Sequence, residues 1–357
     1  MIDFRYHLVS LVSVFLALAV GIVLGAGPLK DPISEGLSQS VQSLRQDRDA
    51  LGDQLKTAQA SIRNRDTFIG EMEGQFVANQ LGGRSVVLVT LPGADADAVR
   101  PLTQALLAAG ARVTGRIDVQ EAWADPATRA SRDAAITALR PTTSTPSTST
   151  ATPAPSASAS ANRTVTPSGA PTPSVTGTPS AGTPGTASDV AAAQLLARAL
   201  VTSEVSGERS DEASKQVLDG LVRAGLVDVN GELTGRATQA VVLVPGVATA
   251  VQGAAPTPSA TPVVDRSPTW VSLAAVLDAD SIGAVAVGPQ SSATAGGVIA
   301  ALRGQPLAAG VSTVDTGGTP MGDITAVLAL REQQLGGAGN YGYGDGATAK
   351  LPAPGSG

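Results

Sequence analysis

From Leu8 to Leu24 the chain carries no charge, and only Ser10, Ser13 and Gly21 interrupt the apolar run. At about 1.5 Å of rise per residue, roughly 20 helical residues cover the ~30 Å hydrocarbon core of a bilayer. Residues 1–27 are therefore expected to be a transmembrane helix with one large domain following it. A cleavable signal peptide would also suit the small residues Gly25-Ala26-Gly27, but the apolar run exceeds the ~7–15 residues usual for a signal core. Arg5 and Lys30 flank the run, so the positive-inside count is nearly silent. The simpler arrangement is a single pass in the cell membrane, with a short N-terminus inside and an extracytoplasmic C-terminal domain. Ala17, Gly21 and Gly25 fall at spacing four on one helix face, a small-residue row that permits close helix packing in lipid.

A heptad follows over residues 33–80. Pro28 and Pro32 separate it from the apolar run, and Ser34 is the expected N-cap. One core column reads Leu37, Leu44, Leu51, Ala58, Arg65, Met72. The other reads Val41, Arg48, Leu55, Ile62, Ile69, Phe76. Ten of these twelve positions are apolar, which predicts a coiled coil and a parallel homodimer through it. Arg48 and Arg65 in the seam set register or mark where it opens to a partner. The alternative is a long amphipathic helix folded onto its own domain.

Beyond Gly82-Gly83 the pattern alternates. Val86–Leu91, Ala111–Val119, Ala240–Val244 and Ile282–Val287 read as strands, with a short strand at Leu226–Val229 and a last one within Pro306–Val314. Helices are expected between them, and Thr319-Pro320 supplies an N-cap and first-turn proline for a closing helix. The prediction over 84–335 is an α/β domain with a Rossmann-like, mostly parallel sheet. The strand–turn pattern around Pro92-Gly93 is echoed around Pro245-Gly246. Of the 48 residues in 141–188, 44 are Thr, Ser, Pro, Ala or Gly, so this insertion is expected to be disordered and, if exported, open to O-glycosylation. Residues 336–357 read as a Gly-rich flexible tail carrying Tyr341 and Tyr343.

The composition excludes much chemistry. A net charge of −6 gives nucleic acid no electrostatic support. Cysteine is absent and His7 is the only histidine, so a thiol nucleophile, a Ser–His–Asp triad within the domain and a His/Cys metal cage are ruled out. No Gly-x-Gly-x-x-Gly or Walker-type loop follows the first strand, so no nucleotide cofactor is expected. Asp95, Asp97, Asp315 and Asp323 could pair as acids, but helix-start charges are the commoner role. The expectation is no enzyme, no cofactor and no metal ligands. The candidate partner surface is Leu37, Val41, Leu44, Arg48, Leu51, Leu55, Ile62, Arg65, Ile69 and Phe76. Ala17, Gly21 and Gly25 are the candidate membrane-packing row.

Arg5, His7, Val9-Ser10-Leu11, Val14–Gly21 and Val23-Leu24-Gly25 resemble the N-terminal signature of the actinobacterial copper transporter MctB family, which includes SteB-like envelope proteins. The resemblance continues in layout through the coiled coil, the α/β domain and the Gly/Tyr-rich end. It implies a single-pass envelope protein linked to copper efflux or, for SteB-like members, to cell division and peptidoglycan remodelling with a SteA-like partner. Copper(I) sites favour Cys and Met, and here only Met1, Met72 and Met321 are available, so a copper role would be indirect or through an assembly. A pore would require oligomerisation, since the domain lacks the alternating segments of a β-barrel.

Overall fold

The computed structural model describes residues 4–26, 30–140, 186–204, 211–247 and 265–353. Nearly all of the Thr/Ser/Pro/Ala-rich insertion, 141–185, and residues 248–264 lie outside the described residues. The chain divides into two units, residues 1–67 and 68–357.

The first unit is helical. Helix α1 (Phe4–Ala26) contains the Arg5–Gly25 stretch, which is long and apolar enough to cross a membrane. Helix α2 (Lys30–Val77) then begins. The expected start at Ser34 is corrected: the helix opens at Lys30 and Pro32 sits in its first turn. There the missing N–H would have had no helical acceptor anyway. The heptad boundary also moves. The last turns of α2, from Phe68, belong to the second unit, where Val77 is buried and Ile69 packs against a core cluster.

The second unit runs β1 (Ser85–Thr90), α3 (Val99–Ala108), β2 (Arg112–Val119), α4 (Arg129–Leu139), α5 (Ala187–Leu200), α6 (Glu212–Arg223) and β3 (Val227–Asn230). It continues with β4 (Gln239–Leu243), α7 (Ser267–Ala279), β5 (Gly283–Val287), α8 (Val298–Gly304), β6 (Ser312–Val314), α9 (Pro320–Gln334) and β7 (Asn340–Tyr341). One seven-stranded sheet has the order β3-β2-β1-β4-β5-β6-β7. All its neighbours are parallel except β2 and β3, which pair antiparallel with Ile117 opposite Val229. The sheet is thus mixed. Its antiparallel strand is at an edge, reached through the Gly225 turn after α6, so no crossover has to return it to a parallel sense.

Strands buried on both faces need apolar residues at every position. Val87, Val89, Ala240, Val242, Ala284 and Ala286 face one cluster, which α5, α7 and α8 complete with Leu196, Leu273 and Ile299. Val86, Leu88, Val241, Leu243, Val285 and Val287 face the other, completed by Leu102 and Leu106 of α3 and Val327 and Leu330 of α9. Thr319 caps α9 by accepting from the Gly322 N–H at 3.1 Å, with Pro320 in its first turn.

The flexible tail is corrected over residues 336–353. Asn340 and Tyr341 form β7 against Thr313 and Val314, and Tyr341 is buried. Glycine frequency concealed this: a Gly-rich segment reads as loose, yet it can also follow a path that side chains would block.

Candidate functional site

Strand order reverses between β1 and β4, and open α/β sheets bind ligands beyond the strand ends at such a point. In register, Thr90 lies beside Leu243, and the Leu91 N–H donates to the Leu243 carbonyl at 2.9 Å. The two Pro-Gly turns echoed in the sequence therefore emerge side by side; a Cβ on Gly93 would lie 3.5 Å from Pro245 Cβ. The loop after β6 closes over the loop after β5. Gly317 donates its N–H to the Gly288 carbonyl at 2.8 Å, and a Cβ on Gly317 would stand 2.9 Å from Gly288 backbone atoms. Backbone thus fills most of the crevice. About 80 Å³ remains, lined by Asp95, Leu243, Gly288, Gly318 and Asp323 among others. Drug-sized ligands need about 300–1,000 Å³, so this space suits a few waters rather than a nucleotide.

The acids around the crevice have distinct roles. Asp95 accepts from the Asp97 N–H at 2.9 Å and caps the 3₁₀ turn Ala96–Ala98. Asp323, in the first turns of α9, is only 2% exposed. Burial first, and the Glu73 carboxylate second, push its carboxyl up to about 7. Burial also raises Glu73, near the end of α2, and its Oε1 is enclosed with no hydrogen-bond partner among the described residues. Sequence reasoning picked out Asp323 but missed Glu73. A charged residue one place after the heptad residue Met72 was the available signal.

Asp315 does not pair with Asp323. It is fully buried and meets Arg303 of α8, Oδ2 to Nη1 at 3.0 Å. Its carboxylate also accepts from the Tyr343 and Gly344 N–H groups, both at 2.8 Å. Arg303 donates to Thr313 Oγ1 at 2.9 Å, to the Asp345 carbonyl at 2.7 Å and to the Tyr341 carbonyl at 3.0 Å. This satisfied pair clamps the C-terminal segment to the strand ends. Tyr341 donates its hydroxyl to Glu332; burial and then that hydrogen bond hold the phenol above its ordinary range. The segment read as a flexible tail is thus held by its own chain.

The candidate partner residues divide. The Leu37 side chain lies outside the described residues. Val41, Leu44, Arg48, Leu51, Leu55, Ile62 and Arg65 are all exposed on α2, with Leu51 at 64% and Leu55 at 59%. Arg48 forms an exposed ion pair with Asp49 at 2.7 Å. Ile69 packs into the second unit, while Phe76 is exposed and lines a groove with Leu328, Leu335 and Leu351. On α1, Ala17, Gly21 and Gly25 are exposed, and space is open where a Cβ would stand on either glycine. Among the described residues, no group of three or more His, Cys, Asp or Glu is placed to hold a metal ion.

Residues 1–352 match the family described as "Copper transport outer membrane protein, MctB". The chain belongs to the MctB family. A relative named "Copper transporter MctB" from Mycobacterium leprae (strain TN) is 28% identical over 353 residues, covering 98% of each chain. MctB relatives of the same name from Mycobacterium bovis and Mycobacterium tuberculosis (strain H37Rv) are each 27% identical over 351 residues, covering 97% of this chain and 98% of theirs. The match spans the residues that form the membrane-length helix, α2, the sheet domain and nearly all of the clamped C-terminal segment.

Proposed function

We propose that this chain is a single-pass, membrane-anchored assembly scaffold of the MctB family. It contributes to copper transport by holding chains or partners together outside the cell membrane rather than by caging the ion itself. The observation that carries this reading is the exposed apolar stripe of α2, at Leu44, Leu51, Leu55 and Ile62. Large apolar side chains repeated at heptad spacing on a long helix gain most by burial against a second helix. The relatives' name, copper transporter, supplies the process. The chain's own ligands point away from a direct site: it has no Cys, one His and three Met. The preferred arrangement is a parallel homodimer through α2, a Rossmann-like head held away from the membrane, and α1 helices able to meet along Ala17, Gly21 and Gly25.

The test is the double variant Leu51→Lys, Leu55→Lys, measured in detergent by sedimentation and in cells by copper tolerance. Each buried leucine contributes about 1.5–3 kcal/mol, so losing four per dimer should weaken association at least about a thousandfold. Copper tolerance should fall to that of cells lacking the protein. A variant that stays associated and functional would contradict the scaffold.

A further inference from the structure

We infer that the carboxyl pair Glu73–Asp323 is a proton-operated latch between the last turns of α2 and the start of α9. The latch closes when a proton lies on the pair and loosens when both groups ionise. It goes beyond the scaffold reading, because it assigns a regulatory input to the head and holds whether or not α2 pairs with another chain.

The geometry comes first. The end of α2 is built into the head: Ile69 packs against the cluster containing Ile324 and Val327 of α9, Val77 is fully buried, and a Cβ on Gly70 would lie 3.7 Å from Pro320. Glu73 is on this buried side of α2. Its Oε1 is shielded from water and has no hydrogen-bond partner among the described residues. Asp323 is one turn into α9 and almost fully buried. A buried acid and a half-buried one whose inner oxygen is shielded cannot both ionise cheaply, because the buried charge loses its hydration and the two charges repel.

Among the described residues, burial and the acids themselves shift the pair, with no cation offsetting it. On α2, the neighbouring Glu71 is exposed to solvent and supplies no cation. On α9, Arg331 lies two turns beyond Asp323 and lines the groove around Phe76. In the loop after β1, Asp95 lines the same crevice as Asp323 and Asp97 is exposed to solvent, as is Arg100 on α3. Glu73 is the charge that shifts Asp323, and it does so in the same direction as burial.

The sign follows. Asp323 ionises at an ordinary value of 3.8 when solvated and at about 7 in the folded head. The folded state therefore holds its proton more tightly. The stability this gives is full below the solvated value and is lost as pH rises through about 7. Lowering the pH tightens the α2–α9 contact, and raising it loosens that contact.

The test is hydrogen exchange on the full-length chain in lipid nanodiscs, read at the amides of Glu71–Val77 and corrected for intrinsic exchange rates. Protection in the wild type should fall about thirtyfold from pH 5.5 to 8 if opening fully solvates Asp323. Asp323→Asn, which mimics the protonated acid in shape, should remove most of that slope. Glu73→Gln should reduce it and move its midpoint to lower pH, and serves as the second variant should Asp323→Asn fold poorly. A wild-type protection that does not change between pH 5.5 and 8, or a slope that both variants retain, would overturn the latch.

Discussion

Replacing Arg132 with Ala should destabilise the head by about 3–5 kcal/mol, the usual cost of leaving one partner of a buried ion pair alone. Arg132 on α4 and Asp189 on α5 are 2% and 3% exposed, with Nη2 and Oδ1 2.8 Å apart. Their contact is a charge contact without a well-directed hydrogen bond between those atoms. Both side chains are anchored elsewhere. Arg132 donates to the Trp123 carbonyl, and Asp189 accepts from the Thr186 N–H at 2.8 Å and hydroxyl at 2.7 Å. The pair joins the two ends of the Thr/Ser/Pro/Ala-rich insertion, so it closes a long loop whose closure entropy the fold must overcome. Thermal unfolding of Arg132→Ala should shift down on the order of 10 °C. The double variant Arg132→Met, Asp189→Leu should recover most of the loss, short of about 1 kcal/mol for the lost helix cap. A single variant within about 0.5 kcal/mol of wild type would mean that the pair does not hold the insertion closed.

The second large effect is expected at Gly342. Its φ is +126°, in the region that favours glycine, and a Cβ there would stand 1.8 Å from Asp315 Oδ1. Gly342→Ala must therefore move either the C-terminal segment or Asp315, and moving Asp315 breaks its contact with Arg303. The expected loss is about 3–5 kcal/mol at the clamp, with residues 340–349 becoming sensitive to limited proteolysis while the sheet stays folded. Tyr343→Phe is the control. Among the described residues, the Tyr343 hydroxyl reaches Met321 Sδ alone, at 3.7 Å on an exposed face, so its removal should cost less than about 0.5 kcal/mol. Intact wild-type-like resistance in Gly342→Ala would show that the segment is not held as described.

These two constellations show where sequence reasoning succeeds and where it stops. The fully buried strands β1, β4 and β5 were legible because a strand covered on both faces must be apolar throughout. The start of α9 was legible because Thr319 and Pro320 are local signals. The antiparallel pairing of β3 was not, since direction depends on where the chain re-enters the sheet. Nor was β7: two residues, Asn340 and Tyr341, are too few for a period. The Arg132–Asp189, Arg303–Asp315 and Glu73–Asp323 pairs are separated by 57, 12 and 250 positions. Only the tertiary fold brings such residues together, and each alone reads as an ordinary charged residue. The heptad of α2 was legible as a pattern, but it did not reveal that the column passes from exposed Ile62 to Ile69 packed in the head.

The most direct test of the scaffold uses the absence of cysteine from the chain. A single Leu55→Cys, in the apolar column, and a single Asp53→Cys, on the opposite face of α2, would be expressed at native level and oxidised in intact membranes. Disulfide formation needs Cα atoms within about 7 Å, a separation met in the seam of a parallel pair and not on its outer face. The scaffold predicts a covalent dimer from Leu55→Cys and none from Asp53→Cys. Equal cross-linking at both positions, or none at Leu55→Cys, would contradict it.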